Sequence, residues 1–201
     1  MKLSRALMLV ATLWLAGCSG SPVIQYYMLS AEEPPEHSVH PKYEPHIAVG
    51  PVSLPEIVNR PQFVIRTAIN QVTVVENHQW ADPLADGMSR VIAENLMQLL
   101  GVKQISVYPQ SAAGHAEYRV LVDMHRFESS LGGTALMDAL WTVRHSGSNE
   151  RKSLKEGRSR SEEPTNGSTY EALAAAHSRN LARISHDIAE AIRSMMAGFR
   201  E

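Results

Sequence analysis

The chain has 201 residues, of which 44% are hydrophobic and 20% charged, which suffices for one domain with a substantial core. Its 19 basic and 21 acidic residues give a formal charge of −2, which disfavours a nucleic-acid-binding surface. The only cysteine is Cys18, and this excludes metal centres built from several thiolates.

The first 17 residues predict an export signal that is removed. Lys2 and Arg5 supply a basic start, an apolar run follows, and small residues precede Cys18. The apolar run is shorter than the roughly 20 residues that a membrane-spanning helix needs. We therefore expect cleavage after Gly17, leaving Cys18 as the new amino terminus.

Leu15-Ala16-Gly17-Cys18 resembles the bacterial lipobox. In that motif the cysteine thiol receives a diacylglycerol, and the new amino terminus is then acylated. The resemblance implies lipidation of Cys18, whereas the alternative makes Cys18 an ordinary small residue of a leader. An unpaired thiol is a liability in an oxidising compartment, which favours a modified sulfur. Ser19, in place of an aspartate, implies sorting to the outer membrane in lipoproteins of this kind.

Residues 18–22 are interpreted as a short lipid-anchored tether, and residues 23–201 as a single domain. Val23–Leu29 is rich in β-branched and aromatic residues and predicts a first strand. Because the tether is short, this strand is expected to lie close to the membrane surface.

Ser30–Pro45 contains four prolines and predicts an extended linker. His37 and His40 lie within it, but two histidines without a third ligand do not make a metal site. We therefore expect no bound metal there.

His46–Leu54 alternates in polarity and predicts a second strand, in which Pro51 favours an edge position or ends regular pairing. A loop bracketed by prolines follows at Pro55–Gln62. Phe63–Ala68 and Asn70–Glu76 then predict two short strands.

The segment after Trp80 predicts a helix with Asp82 as N-cap, Pro83 in the first turn and Gly101 at its end. Trp80 has two interpretations, a lid over the helix start or an exposed anchor for a partner. The apolar residues at helical spacing predict a buried stripe of Leu84, Met88, Val91, Ile92, Leu96 and Leu99.

Three further strands are predicted after this helix. Gln104–Tyr108 is short, and Tyr118–Phe127 alternates regularly. Gly132-Gly133 indicates a hairpin leading into Thr134–Arg144. Arg151–Arg160 mixes charged residues with serine and glycine and predicts either a weak outer strand or a mobile flap.

Ser168–Phe199 predicts a long final helix, with Ser168 and Glu171 as a capping box. His177 lies within the apolar stripe and is interpreted as a hydrogen-bonded flank of the core. The stripe consists of Leu173, His177, Leu181, Ile184, Ile188, Ile192, Met195 and Phe199. We expect an α+β fold, with two long helices packed on one face of a mixed, mostly antiparallel sheet.

Several segments together resemble the family of ABC-type transport auxiliary lipoproteins. The matching sequences are Val49-Gly50-Pro51-Val52-Ser53-Leu54-Pro55-Glu56, Arg60-Pro61-Gln62, Trp80-Ala81-Asp82-Pro83-Leu84, Glu94-Asn95-Leu96, Tyr170-Glu171-Ala172-Leu173 and Ile184-Ser185-His186-Asp187-Ile188-Ala189. The resemblance covers nearly all of residues 23–201 and is weakest in Ser30–Pro45 and around Arg151–Pro164.

The resemblance implies an outer-membrane lipoprotein, facing the periplasm, that is accessory to intermembrane lipid transport. Its implied partners are a periplasm-spanning MCE-domain protein of the PqiB type and, indirectly, an inner-membrane protein of the PqiA type. A homo-oligomer would suit docking onto a rotationally symmetric tunnel. A proline-stiffened loop loses little entropy on binding, so the partner-binding candidates are Leu54, Pro55, Glu56, Arg60, Pro61, Gln62 and Trp80.

Two alternative functions, a lipid carrier and an enzyme, would each require a further feature. A lipid carrier would need a dry apolar pocket of several hundred Å³. An enzyme would need a carboxylate and a histidine that converge, for which Asp123 with His125 and Asp187 with His186 are the first pairs to inspect. Neighbouring side chains on one strand or helix are expected to point apart, and the common nucleotide-binding and hydrolase motifs are missing from the sequence. We therefore expect no catalytic residues and no cofactor beyond the acyl groups on Cys18.

Overall fold

Residues 23–33, 43–146 and 154–198 are described by a computed structural model, which has an α+β fold with two helices and two sheets. The elements in chain order are β1 (Gln25–Tyr27), β2 (Ile47–Ser53), β3 (Gln62–Ala68), β4 (Gln71–Trp80), α1 (Leu84–Leu100), β5 (Ile105–Val107), β6 (Tyr118–Ser129), β7 (Thr134–His145), β8 (Leu154–Pro164) and α2 (Tyr170–Gly198). The predicted fold class is confirmed, but the strands form two sheets where one was expected.

The larger sheet has five strands in the order β5-β2-β6-β7-β8. β2 pairs in parallel with β5 and β6, whereas β6, β7 and β8 pair antiparallel. Both helices pack on this sheet, α1 against β2 and β5, and α2 against β7 and β8. The mixed sheet with its two helices therefore matches the architecture expected from the sequence.

The smaller sheet has three strands in the order β1-β4-β3. β1 runs parallel to β4, and β3 and β4 form an antiparallel hairpin. A salt bridge of 3.2 Å between Arg66 on β3 and Glu128 on β6 links the two sheets. β3 of the smaller sheet therefore lies next to β6 of the larger sheet.

The two helices bury the stripes that the sequence predicts, except that Leu99 is half-buried and Phe199 lies outside the described residues. Met88 and Leu96 on α1, and Leu181, Ile184 and Ile188 on α2, have no exposed surface. Apolar positions that recur every three or four residues lie on one helix face, so the same positions can all meet the sheet.

Buried polar groups fix the relation of the helices to each other and to the sheet. The Asn95 amide nitrogen donates to Ser185 Oγ at 3.2 Å, joining α1 to α2. The Asn180 amide nitrogen donates to the Ala135 carbonyl at 2.9 Å, joining α2 to β7. A hydrogen-bonded amide tolerates burial because its partner replaces lost water.

Both predicted N-caps are wrong by one residue. α1 begins at Leu84 after Pro83, without a side-chain cap bond, and Asp82 lies 3.9 Å from the Arg90 guanidinium instead. The C-terminal prediction is confirmed, since Gly101 has the left-handed conformation with φ 66°.

At the start of α2 the cap is Thr169 and not Ser168. The backbone N–H of Ala172 donates to Thr169 Oγ1 at 3.1 Å, and α2 begins at Tyr170. Serine and threonine are adjacent here and both make good caps, so composition alone could not choose between them.

Pro51 does not place its strand at an edge, because β2 lies between β5 and β6. The pairing of β2 with β6 shifts register between Val49 and Val52, so the proline interrupts the ladder within an interior strand. The expectation of an edge strand is therefore wrong, while the expected interruption of pairing is confirmed.

The hairpin predicted at Gly132-Gly133 is confirmed and joins β6 to β7. Of the two interpretations of Arg151–Arg160, the outer strand is confirmed, because β8 lies at the edge of the larger sheet and continues to Pro164. Residues 151–153 lie outside the described residues. Gly157 on β8 is covered by the Trp141 indole, and a Cβ at this position would lie 2.2 Å from the Trp141 ring. Glycine is thus required here by a close cross-strand approach.

No helix among the described residues is long and apolar enough to cross a bilayer.

Candidate functional site

The segment Leu54–Gln62, called here the 54–62 loop, connects β2 of the larger sheet to β3 of the smaller one. Glu56–Val58 forms one turn of 3₁₀ helix, in which the Val58 N–H donates to the Pro55 carbonyl at 3.0 Å. The Pro61 carbonyl accepts from the Trp80 N–H at 2.7 Å. Val58 is buried, so the loop is fixed at its middle and at its end.

Most of the outer surface of this loop is open to solvent. Glu56 and Pro61 are exposed, whereas Pro55 and Arg60 are half-buried. Ile57 is 47% exposed. This residue is not among the partner-binding candidates expected from the sequence. The Arg60 Nε is buried and has no hydrogen-bond partner among the described residues. The loop therefore presents an apolar side chain and a carboxylate on a fixed backbone, with the half-buried Arg60 beside them.

Trp80 lies beneath this surface and is not part of it. Its side chain is 5% exposed and stacks on Phe63 at 4.1 Å between ring centroids. Phe127 of β6 meets its edge at 6.1 Å. The interpretation of Trp80 as an exposed partner anchor is wrong, because β4 continues to this residue and turns the indole inward.

A second group of rings extends this packing to α2. The Tyr27 hydroxyl lies 2.7 Å from His78 Nδ1, and the His78 ring stacks on Tyr170 at 3.8 Å. Tyr27 also meets the Phe63 ring edge-on at 5.2 Å. The group is called here the aromatic cluster and consists of Tyr27, Phe63, His78, Trp80, Phe127, Tyr170 and His177. It holds the smaller sheet against β6 and α2.

His177 is a fully buried member of this cluster. Its Nε2 lies 2.8 Å from Ser129 Oγ, and its ring stacks on Phe127 at 3.9 Å. Burial lowers the pKa of His177 to about 3, so the imidazole is neutral at physiological pH. The interpretation of His177 as a hydrogen-bonded flank of the core is confirmed.

Two surface grooves border the smaller sheet. One of about 410 Å³ runs between β1, the 54–62 loop and the start of α1, with Tyr26, Arg60 and Pro61 in its wall. The other, of about 1000 Å³, runs between β1 and the start of α2, and its lining includes Ser168 and Glu171. Both are open to solvent and carry polar side chains, unlike the dry pocket that a lipid carrier needs.

The proposed carboxylate and histidine pairs behave differently from each other. Asp123 and His125 do meet, with Oδ2 and Nε2 3.4 Å apart, so the expectation that these neighbours point apart is wrong. Both side chains are about half exposed, and Ser53 Oγ also donates to Asp123. On α2, Asp187 accepts from Ser159, whereas His186 lies against Glu32. Neither pair stands in an enclosed cleft.

A buried carboxylate elsewhere is already paired. Asp138 on β7 receives two hydrogen bonds from the Arg158 guanidinium, at 2.8 and 2.7 Å. These bonds hold the pKa of Asp138 below its usual range. The pair links β7 to β8 and is a structural feature of the sheet.

Across residues 23–33, 43–146 and 154–198, no three histidine, cysteine or carboxylate side chains are grouped closely enough to hold a metal ion. Cys18, His37 and His40 lie outside these described residues.

Comparison with known proteins places this arrangement in a family. The family model described as "ABC-type transport auxiliary lipoprotein component" matches residues 27–189. That range begins within β1 and ends within α2, so it includes both sheets, the aromatic cluster and the 54–62 loop.

Individual relatives agree with this match. Proteins named "Intermembrane transport lipoprotein PqiC" from Escherichia coli (strain K12) and from Shigella flexneri are each 25% identical over 142 residues, covering 70% of this chain and 74% of theirs. A crystal structure of a Xanthomonas campestris protein has the same fold, with a TM-score of 0.67, 17% identity, and coverage of 88% of this chain and 97% of that one.

Proposed function

This chain belongs to the family of ABC-type transport auxiliary lipoprotein components, and from that premise we propose that it is an outer-membrane lipoprotein that docks an MCE-type intermembrane lipid transport system. The family match carries the proposal, and the names of the PqiC relatives give it its context of intermembrane transport. The direct partner is a periplasm-spanning MCE-domain protein of the PqiB type, and a PqiA-like inner-membrane protein is engaged through it. The role is mechanical and not catalytic.

Lipidation at Cys18 supplies the attachment. The diacylglycerol on the sulfur and the acyl group on the new amino terminus bury many methylenes, at about 0.8 kcal/mol each, which gives a lasting anchor. The chain is thereby held at the periplasmic face of the outer membrane, where a transport tunnel must end.

The 54–62 loop supplies the contact with the tunnel protein. Its backbone is fixed by the 3₁₀ turn and by buried Val58, so little conformational entropy is lost on binding. Ile57 offers an apolar contact that binding would bury. Arg60 is half-buried in the wall of the neighbouring groove, where its positive charge favours a carboxylate on the partner.

The anchor is tested by the Cys18→Ser variant. Cells fed a labelled fatty acid should incorporate the label into the wild-type protein and not into this variant, and only the wild type should fractionate with the outer membrane. Outer-membrane attachment that survives the substitution would contradict the proposed anchor.

The docking role is tested by affinity purification from detergent-solubilised envelopes. The MCE-domain protein should co-purify with the wild type, and its recovery should fall with Arg60→Ala. Arg183→Ala removes an exposed arginine from α2 and serves as the matched control. Equal recovery with both variants would contradict the assignment of Arg60, and absence of the MCE-domain protein from the wild-type sample would contradict the docking role.

A further inference from the structure

The segment that begins the described structure carries apolar side chains on its outer face. Successive side chains of a strand point to opposite faces, and Tyr27 and Leu29 point toward the core. Ile24, Tyr26 and Met28 share the opposite face and are 43%, 62% and 56% exposed. Three large apolar groups in a row on one face form a surface that water solvates poorly.

The segment that forms this surface carries no charge of its own. Residues 23–29 contain no Asp, Glu, Lys or Arg, and Val23 at the start of the segment is 82% exposed. β1 is also an edge strand of the smaller sheet. Exposed edges usually carry charged residues that prevent association, so the composition of this edge favours an apolar cover.

The position of this segment in the chain indicates which apolar medium covers it. Five backbone steps separate Cys18 from Val23, and an extended chain spans at most about 3.6 Å per residue, or roughly 18 Å in all. Lipidation of Cys18, on which this inference rests, is part of the proposed function. It keeps Val23 within about 18 Å of the anchored residue, close enough for the segment to reach the bilayer surface. The bilayer is therefore the nearest apolar medium.

We infer that Ile24, Tyr26 and Met28 form a second membrane contact, which inserts into the boundary between the headgroups and acyl chains of the phospholipids. Tyrosine suits this depth because its ring is apolar and its hydroxyl stays hydrated. The segment has no charge to attract anionic lipid, so the contact depends on apolar burial and responds weakly to salt.

This contact fixes the orientation of the docking surface. Tyr26 lines the same groove as Arg60 and Pro61 of the 54–62 loop. With β1 on the membrane, that loop is held close to the bilayer surface. The partner is then received next to the lipid and not at a distance set by a loose tether.

The test uses the full-length lipidated protein in vesicles of phosphatidylethanolamine and phosphatidylglycerol. An environment-sensitive NBD dye is attached to Tyr26→Cys, since lipidation leaves the Cys18 sulfur unreactive. The control is Glu190→Cys, an exposed site on α2 that lies about 30 Å along the helix from Tyr170. Brominated phospholipids then report contact of each dye with lipid.

We expect a blue-shifted emission and several-fold stronger quenching by brominated lipid at position 26 than at position 190. Ile24→Ser with Met28→Ser should weaken that quenching while flotation with the vesicles persists. Equal quenching at both positions in protein that floats would overturn the contact and leave the anchor intact. A blue shift without lipid quenching would show a protein cover instead and also overturn it, and failure to float would contradict both proposals.

Discussion

The two sheets of this protein are stabilised in different ways. The five-stranded sheet is covered by both helices, and many of its core side chains have no exposed surface. The three-stranded sheet is held mainly through the aromatic cluster, and the tip of its β3–β4 hairpin, residues 67–73, is exposed. We infer from this comparison that stability resides mainly in the larger sheet, which leaves the smaller sheet free to present the surfaces that we propose for partner and membrane.

Leu181→Ala tests the larger layer and has the largest expected effect on stability. Leu181 has no exposed surface, and truncating such a side chain costs about 2–5 kcal/mol in unfolding free energy because a cavity remains. Denaturant unfolding measures it. Met97→Ala is the matched control on an exposed face of α1 and should change stability by less than about 0.5 kcal/mol. Equal effects would contradict the assignment of the core.

The second prediction concerns how the free energy of unfolding depends on pH through His177, which lies in the aromatic cluster between the two sheets. His177 is neutral in the folded protein, with a pKa of about 3, and its pKa in the unfolded chain is the ordinary 6.5. Because the unfolded chain binds the extra proton, stability is full above pH 6.5 and falls as the pH drops toward 3. The slope is about 1.4 kcal/mol per pH unit, or about 2 kcal/mol between pH 7 and pH 5.

Urea unfolding at several pH values measures this slope. His177→Gln should flatten the slope, whatever its effect on absolute stability. Met97→Ala, an exposed position without a titratable group, should leave the slope as in the wild type. An unchanged slope in His177→Gln would contradict the role of this residue.

Phe63→Leu tests how the smaller sheet is attached to the larger one, because it removes an aromatic ring from the aromatic cluster while keeping an apolar side chain. Aromatic pairs contribute about 0.5–1.5 kcal/mol beyond their buried area, so we expect a loss of about 1–2 kcal/mol. Hydrogen exchange should show lower protection in β3 and β4 than in β6 and β7. A uniform loss across both sheets would mean that they unfold as one cooperative unit.

Ile57→Ser has the smallest expected effect on stability. Its side chain is exposed, so the unfolding free energy should change by less than about 0.5 kcal/mol. Val58→Ser, at the buried neighbour, should be clearly destabilising in the same denaturant experiment. If Ile57→Ser were the more destabilising of the two, the 54–62 loop would not present Ile57 to a partner.

The sequence predicted the two helices and β6 well, because their burial is periodic. The stripes around Met88 and Ile188 and the alternation from Tyr118 to Phe127 are local signals that any window of the chain contains. The division into two sheets could not be predicted in this way. It depends on the parallel pairing of β1 with β4, which joins residues far apart in sequence.

The 54–62 loop was predictable because prolines bracket it. The direction in which the neighbouring side chains point was not predictable. The strand expected at Asn70–Glu76 in fact continues to Trp80, and the extra residues decide which way the indole points. Ile57 was missed because a single apolar residue in a loop has no periodic signal. The close approach of Trp141 to Gly157 likewise depends on cross-strand register, which the sequence does not encode locally.

Site-specific photo-cross-linking in living cells tests the docking role most directly. A photoreactive amino acid at Ile57 of the lipidated protein should form an adduct with the MCE-domain tunnel protein, and the same group at Glu190 on α2 should not. An adduct from Glu190 with none from Ile57, or no tunnel adduct from either position, would contradict the account in which the smaller sheet receives the partner.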